Sequence, residues 1–102
     1  MSAFFIFHNK QVRDPAGLAR YKEAVAPVVA AYGGRYRVLG GEPATLEGDW
    51  RPSFLVLIEF PSLERATAWY GSEDYRELKA QRLAAVESEG ILVGGLDGIS
   101  GL

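Results

Sequence analysis

Three side chains in this sequence of 102 residues have types and surroundings that could support chemistry: His8, Glu59 and Arg82. His8 is the only histidine, and it follows an apolar run in which it shares a strand face with Phe4 and Ile6. An imidazole titrates near neutral pH and could therefore transfer protons in a reaction. A histidine at a strand end that faces water or bonds a backbone carbonyl is the alternative, and the residues alone leave both open.

Glu59 is the only charged residue in the apolar segment 54–60, and Arg82 falls on the inner stripe of a helix, seven residues after Tyr75. A carboxylate in such a strand must be paired or neutral, because burying it alone costs several kcal/mol. Arg82 could satisfy Glu59 as a structural ion pair, or it could clamp the carboxylate of a substrate. As a catalytic site, the set would combine His8 and Glu59 for proton transfer with Arg82 for anion binding.

Aromatic residues cluster around the sequence break at Gly71, namely Trp69, Tyr70 and Tyr75. Aromatic side chains at helical spacing usually belong to a hydrophobic core, but beside a helix break they could also form the rim of an apolar pocket. Trp50, in the connection before the third strand, could cover that rim or contact a second subunit. These four aromatic residues are therefore candidates for substrate binding.

Composition and motifs exclude several classes of function. The chain has no cysteine, one histidine and a net charge of −2, and it contains no GxGxxG, P-loop or GxSxG pattern. We therefore expect no metal and no cofactor. An RNA-recognition domain is rejected because the third strand, FLVLIEF, carries no basic residue. The sequence has neither a signal-peptide pattern nor an apolar run of about 18 residues, so we expect a cytoplasmic protein. A net charge of only −2 creates no strong field, so we expect binding to neither nucleic acid nor membrane.

The periodicity of apolar residues predicts the order β-α-β-β-α-β. The predicted strands lie at Ala3–Val12, Tyr36–Gly40, Ser53–Phe60 and Ile91–Val93. The first predicted helix is capped by Asp14 and ended by Gly33. The second starts at Ser62, is broken near Gly71, resumes with Ser72 as the cap of its second segment, and ends at Gly90. The connection 41–52 could carry a short strand of its own. This order is typical of the α+β ferredoxin-like fold, with a four-stranded antiparallel sheet covered by helices on one face.

Two of the predicted strands are apolar on both faces, since residues 4–7 and 54–58 contain no polar side chain. A sheet with helices on one face should alternate apolar and polar residues, and an open apolar face would exceed what a soluble monomer normally exposes. We therefore expect a homodimer that packs sheet against sheet. The alternative is that the C-terminal tail or the long connection covers this face.

Four segments resemble the family called domain of unknown function 1330: YGGRYRVLGG at 32–41, LEGDW at 46–50, IEFPS at 58–62 and AWYGSEDY at 68–75. The resemblance covers roughly residues 3–93 and implies a ferredoxin-like fold in a dimeric α/β barrel. The family has no established activity, and its superfamily includes cofactor-independent oxygenases, lactone isomerases, haem-handling enzymes and stress-response proteins. We expect one domain at residues 1–93 and a glycine-rich tail from Gly94 to Leu102.

Two functions remain open from the sequence. The chain could be a cofactor-independent enzyme that acts on a small organic acid or aromatic molecule in a pocket between sheet and helices. It could instead be a non-catalytic homodimer that binds a small ligand or serves in regulation. The first function requires an open cavity among His8, Glu59 and Arg82, and the second predicts that Glu59 and Arg82 pair with each other. The sequence does not decide whether the protein is an enzyme.

Overall fold

The computed structural model describes residues 2–96. Its elements are β1 at Ala3–Val12, α1 at Pro15–Ala31, β2 at Arg35–Gly40, β3 at Leu55–Phe60, α2 at Leu63–Tyr70, α3 at Glu73–Ala85 and β4 at Val86–Gly94. The four strands pair antiparallel in the order β2-β3-β1-β4. The predicted ferredoxin-like fold is confirmed. Of the predicted tail, residues 97–102 lie outside the described part of the chain.

The helix starts follow from capping side chains that the sequence made visible. The carboxylate of Asp14 accepts a hydrogen bond from the backbone N–H of Gly17 at 3.0 Å, and Pro15 occupies the first helical position. Ser62 and Ser72 cap α2 and α3 in the same way, each through its hydroxyl oxygen at 3.1 Å from a backbone N–H three residues later. These bonds satisfy donors that would otherwise lack a partner in the first turn. The predicted caps are therefore confirmed.

The predicted boundary between the last helix and the last strand is wrong. The helix α3 ends at Ala85, and β4 begins at Val86 rather than after Gly90. The cause is the length of β1, whose ten residues need a partner along their whole extent, so that Val86 pairs with Val12 and Gly90 with Phe7. The charged residues between 86 and 90 suit an exposed edge strand as well as a helix surface.

The hydrophobic core lies between the sheet and the helices. Every second residue of β3 and of the first half of β1 faces it, and the fully buried side chains include Trp69, Tyr75, Phe60, Val25 and Val29. The opposite face of the sheet carries no helix among the described residues. This face is also apolar, as predicted from strands with apolar residues on both faces, and its side chains are only partly covered. They are Phe4, Ile6, Leu55, Leu57, Ile91 and Val93.

The long connection between β2 and β3 reaches this second face of the sheet. Residues 41–54, all of which the structure describes, contain no helix or strand, so the short strand considered for this segment is absent. The ring of Trp50 stands edge-on to the ring of His8, with the centroids 5.8 Å apart. The connection therefore covers one corner of the face and leaves Ile91, which is 61 % exposed, largely open.

Candidate functional site

The structure places the three side chains of the expected catalytic site on two sides of the sheet. His8 and Glu59 belong to the alternate residues of β1 and β3 that point away from the helices. Arg82 belongs to the buried side of α3 and lies on the helix-covered side. Successive strand residues point to opposite faces, so the expected pocket shared by all three does not form within one chain.

Glu59 is paired, but its partner is not Arg82. Its Oε1 atom accepts a hydrogen bond from Nε of Arg37 at 2.8 Å, and its Oε2 atom accepts one from Oγ of Ser2 at 2.9 Å. The expected ion pair between Glu59 and Arg82 is therefore wrong. The hydrogen bond from Arg37, followed by the one from Ser2, lowers the pKa of Glu59 below its usual value, so the carboxylate is ionised at neutral pH. The register of β2 on β3 decides this pair, and a bulge between Tyr36 and Val38 allows Arg37 to reach it.

His8 lies in a shallow cavity of about 320 Å³ on the helix-free face. Its Nδ1 atom is buried, lies 4.0 Å from Oε1 of Glu89, and has no hydrogen-bond partner within residues 2–96. Trp50 and Ile91 complete the walls of this cavity. Trp50 therefore covers His8 and not the aromatic cluster near Gly71.

Arg82 is the only charged residue buried in the described part of the chain, at 6 % exposure. Its Nε donates to Oη of Tyr75 at 3.1 Å, its Nη1 donates to Oγ of Ser88 at 2.8 Å, and its Cζ lies 4.8 Å from the centroid of the Phe7 ring. All of these partners are neutral, and no carboxylate of residues 2–96 forms a salt bridge with Arg82. A buried guanidinium without a counter-ion favours the binding of an anion beside it.

Ser88 was not found from the sequence, because residues 86–89 were assigned to a helix. As part of β4, Ser88 faces the same side of the sheet as its neighbour in register, Asn9, and meets the end of the Arg82 side chain. The signal that could have found it is the alternation of Val86 and Ser88 with Glu87 and Glu89. That alternation is typical of a strand with one buried face.

Two cavities meet at Arg82 and Phe7, which line both. The smaller, of about 210 Å³, lies between α1 and the sheet and is lined in addition by Leu18, Tyr21, Lys22, Ala26, Tyr36, Leu39, Val56, Ile58 and Asn9. The larger, of about 440 Å³, is more polar and includes Tyr70 and Ser88 in its walls. The structure thus brings the predicted Tyr70 and Arg82 to one cavity.

The other aromatic residues singled out near Gly71 belong to the core. Trp69 and Tyr75 are fully buried, and their rings stack with centroids 4.2 Å apart. Tyr75 still takes part in the site through its hydroxyl, which accepts from Arg82 and lies 2.9 Å from Oη of Tyr21. A chain of hydrogen bonds therefore leads from Ser88 through Arg82 and Tyr75 to Tyr21.

The two tyrosines that line the smaller cavity are held in their neutral form. Burial raises the pKa of Tyr36 to about 12. Burial, reinforced by the neighbouring Tyr75, raises the pKa of Tyr21 well above its usual value. Both hydroxyl groups therefore keep their protons at physiological pH and can donate hydrogen bonds. Neither tyrosine was expected from the sequence to belong to a site.

Two further kinds of feature are absent from the described residues. Residues 2–96 hold no group of three or more side chains of the metal-binding types histidine, cysteine, aspartate and glutamate. No helix within this range is long and apolar enough to cross a membrane.

Comparison with protein families identifies the chain. The family described as domain of unknown function (DUF1330) matches residues 2–96, and the chain therefore belongs to this family. A comparison with curated protein sequences finds no significant match.

Solved structures show the same fold at low sequence identity. A protein of unknown function from Rhodopseudomonas palustris is 22% identical, with 94% of this chain and 83% of that chain covered and a TM-score of 0.72. A dimeric ferredoxin-like protein of unknown function from Thermobifida fusca is 14% identical, with 92% and 91% covered and a TM-score of 0.63. SnoaB, a cofactor-independent oxygenase from Streptomyces nogalater, is 14% identical, with 96% of each chain covered and a TM-score of 0.61.

Proposed function

We propose that this member of the DUF1330 family is a homodimer that binds a small organic acid with an apolar or aromatic body in the cavity between α1 and the sheet. Arg82 would hold the acid group. The observation that carries the proposal is the burial of this guanidinium among partners that are all neutral. A ligand carboxylate would supply the missing counter-charge through charge-assisted hydrogen bonds.

The walls of the smaller cavity support a ligand that is mostly apolar. Aliphatic and aromatic side chains form most of its surface, and the polar groups are few: Arg82, Tyr21, Tyr36, Lys22 and Asn9. Small-molecule sites commonly have this composition, in which a few polar groups fix the orientation of an apolar body. At about 210 Å³ the cavity is smaller than a typical site for a drug-sized molecule, which favours a ligand of modest size.

The same lining favours binding over acid–base catalysis. Among the described residues that line the smaller cavity, none is a histidine, aspartate or glutamate. The tyrosines there keep their protons at neutral pH and are poor proton acceptors. His8 and Glu59 lie on the other face of the sheet and take no part in this proposal.

Ligand titrations with matched amides test the anion site. Hexanoate and benzoate should raise the melting temperature of the protein, whereas hexanamide and benzamide, which have a similar shape but no charge, should not. Arg82→Met should weaken acid binding by about tenfold or more, since a hydrogen bond to a charged group contributes about 1.5–3 kcal/mol. Tyr36→Phe, which removes one hydroxyl from the cavity wall, should weaken it by a smaller factor.

Arg37→Met is the matched control for the loss of one positive charge, because Arg37 lies on the opposite side of the sheet, where it pairs with Glu59. It should bind acids as the wild type does. Equal binding of acids and amides, or equal affinity in wild type and Arg82→Met, would refute the anion site.

The homodimer is supported by the helix-free face. Ile91 is 61 % exposed and Val93 is 42 % exposed there, beside the partly covered Phe4 and Ile6. The similar protein from Thermobifida fusca is described as dimeric. Sedimentation equilibrium should therefore give twice the chain mass, and Ile91→Lys should shift the population to monomers, because twofold symmetry places two new charges in one interface.

Leu63→Lys is the control for this experiment. Leu63 belongs to α2 and is 49 % exposed, so the substitution adds the same charge away from the sheet face. It should leave the dimer intact. A wild-type protein that sediments as a monomer would contradict the dimer.

Catalysis without a cofactor is the second candidate, and a cluster of donors favours it. Arg82, Tyr21 and Tyr36 all line one cavity and could stabilise an oxyanion that forms on a bound carbonyl group. SnoaB, which shares the fold, is described as a cofactor-independent oxygenase. Exchange of the C–H proton next to the carbonyl of a bound ligand tests this idea when it is followed by NMR in deuterated water. Solvent water takes up the proton, because the described residues that line the cavity include no histidine, aspartate or glutamate. Exchange should be faster with wild type than with Tyr21→Phe, and equal rates with and without protein would exclude it.

A further inference from the structure

The smaller cavity adjoins a second, more polar compartment. This outer compartment, of about 180 Å³, shares Asn9, Leu18 and Lys22 with the cavity between α1 and the sheet. Its other lining residues are mostly polar: Lys10, Gln11, Ser53, Val12 and Phe54. The two spaces therefore adjoin, with Arg82 lining only the first and Lys22 lining both.

Lys22 is the free cation of the outer compartment. Its Nζ lies 5.1 Å from the centroid of the Phe54 ring, and no carboxylate of residues 2–96 forms a salt bridge with it. Lys10, in contrast, is neutralised by Glu87 and Glu89, at 3.8 and 3.7 Å. The outer compartment therefore has one positive charge without a counter-ion, and its described walls contain no acidic residue that could neutralise it.

We infer that the ligand carries two acidic groups, one at each end of an apolar body, with the first bound by Arg82 and the second by Lys22. This inference rests on the proposed function and specifies the class of acid. Arg82 packs on Phe7, and the outer compartment begins at Asn9, two residues further along β1. At about 3.3 Å per strand residue, the two acidic groups would be at least about 7 Å apart.

Pairs of straight-chain acids of equal length test the second charge. Isothermal titration would compare suberate with octanoate, and adipate and sebacate would test the spacing between the two carboxylates. Wild type should bind suberate about fivefold more tightly than octanoate, because one exposed ion pair contributes up to about 1 kcal/mol. Lys22→Met should remove this preference, because it should weaken the binding of suberate more than the binding of octanoate.

Lys79→Met is the matched control, since Nζ of Lys79 also packs over an aromatic ring, that of Tyr70 at 4.2 Å, but outside this cavity. It should keep the preference for suberate. Equal affinity of wild type for suberate and octanoate, or a Lys22→Met protein that loses both alike, would overturn the inference while leaving the proposed function intact. Failure of every acid to bind would overturn both.

Discussion

Replacing Gly90 with alanine tests how closely β4 packs on the ring of Phe7, which lines both cavities. A Cβ atom at position 90 would lie 2.5 Å from Cδ1 and 2.6 Å from Cε1 of Phe7. Gly90 does not adopt a positive φ, so the backbone itself accepts alanine. The whole effect of the substitution therefore comes from the contact between one methyl group and one ring.

The size of the effect follows from the surroundings of that ring. To restore an ordinary contact distance of 3.4 Å, the ring of Phe7 must retreat by about 1 Å. Phe7 is 6 % exposed, and its ring stacks on the ring of Phe5 with the centroids 5.4 Å apart. The guanidinium of Arg82 lies 4.8 Å from the centroid of the Phe7 ring. Overpacking of this kind costs about 1–3 kcal/mol, and the lower chain entropy of unfolded alanine returns about 0.4–1 kcal/mol. The net expectation is a loss of about 1–2 kcal/mol.

Urea denaturation followed by circular dichroism, at one protein concentration, measures this loss. Gly94→Ala is the control in the same strand, since a Cβ at Gly94 meets no atom within 4 Å. It should leave the free energy of unfolding unchanged or raise it by up to about 1 kcal/mol, because the unfolded chain loses the same entropy and no clash opposes the gain. Phe7→Leu should relieve the clash, so that the double variant with Gly90→Ala loses less than the sum of the two single losses.

A further consequence concerns ligand binding. The cavities are the space into which Phe7 can retreat, so Gly90→Ala should also weaken binding of acids in the titrations above. Equal stability of Gly90→Ala and Gly94→Ala, or strictly additive losses with Phe7→Leu, would refute the packing argument.

Three further outcomes are expected. Asp14→Ala should destabilise the protein by about 1 kcal/mol in urea denaturation, because the N–H of Gly17 loses its capping partner, and a change below about 0.3 kcal/mol would contradict the cap. Because the pKa of Tyr36 is raised in the folded protein, the protonated tyrosine contributes fully to stability below the unfolded pKa of 10, and this contribution is lost as the pH rises toward 12. In Tyr36→Phe, the free energy of unfolding should therefore decrease less steeply with pH above pH 10 than it does in the wild type. Arg37→Leu should raise the pKa of Glu59 toward its usual value in carbon-detected NMR titrations, and an unchanged pKa would exclude the pair as its cause.

The helix starts of this protein could be predicted because each depends on residues that are close together in the sequence. Asp14 followed by a proline, and the serines at 62 and 72, satisfy backbone donors only three residues away, so no tertiary contact is needed to place them. The boundary at Val86 could not be predicted in this way. It depends on pairing with Val12, which is more than seventy residues distant in the sequence, and this pairing outweighs the local preference of a charged segment.

The partners of the charged side chains also needed the tertiary structure. Glu59 meets Arg37 because β2 bulges against β3, and Arg82 meets Ser88 because β4 begins directly after α3. Each contact depends on the register of a neighbouring strand, and a shift of one residue would point the side chain to the other face.

The sequence by itself determined the fold, the helix starts and the presence of two apolar faces on one sheet. Only the tertiary structure decided which of these faces the helices cover. The reason is physical: β1 and β3 are apolar on both sides, so hydrophobicity does not distinguish the face of Phe5 from the face of Ile6. That choice places His8 and Glu59 on one side of the sheet and Arg82 on the other, and it thereby makes the cavity beneath α1 the candidate site.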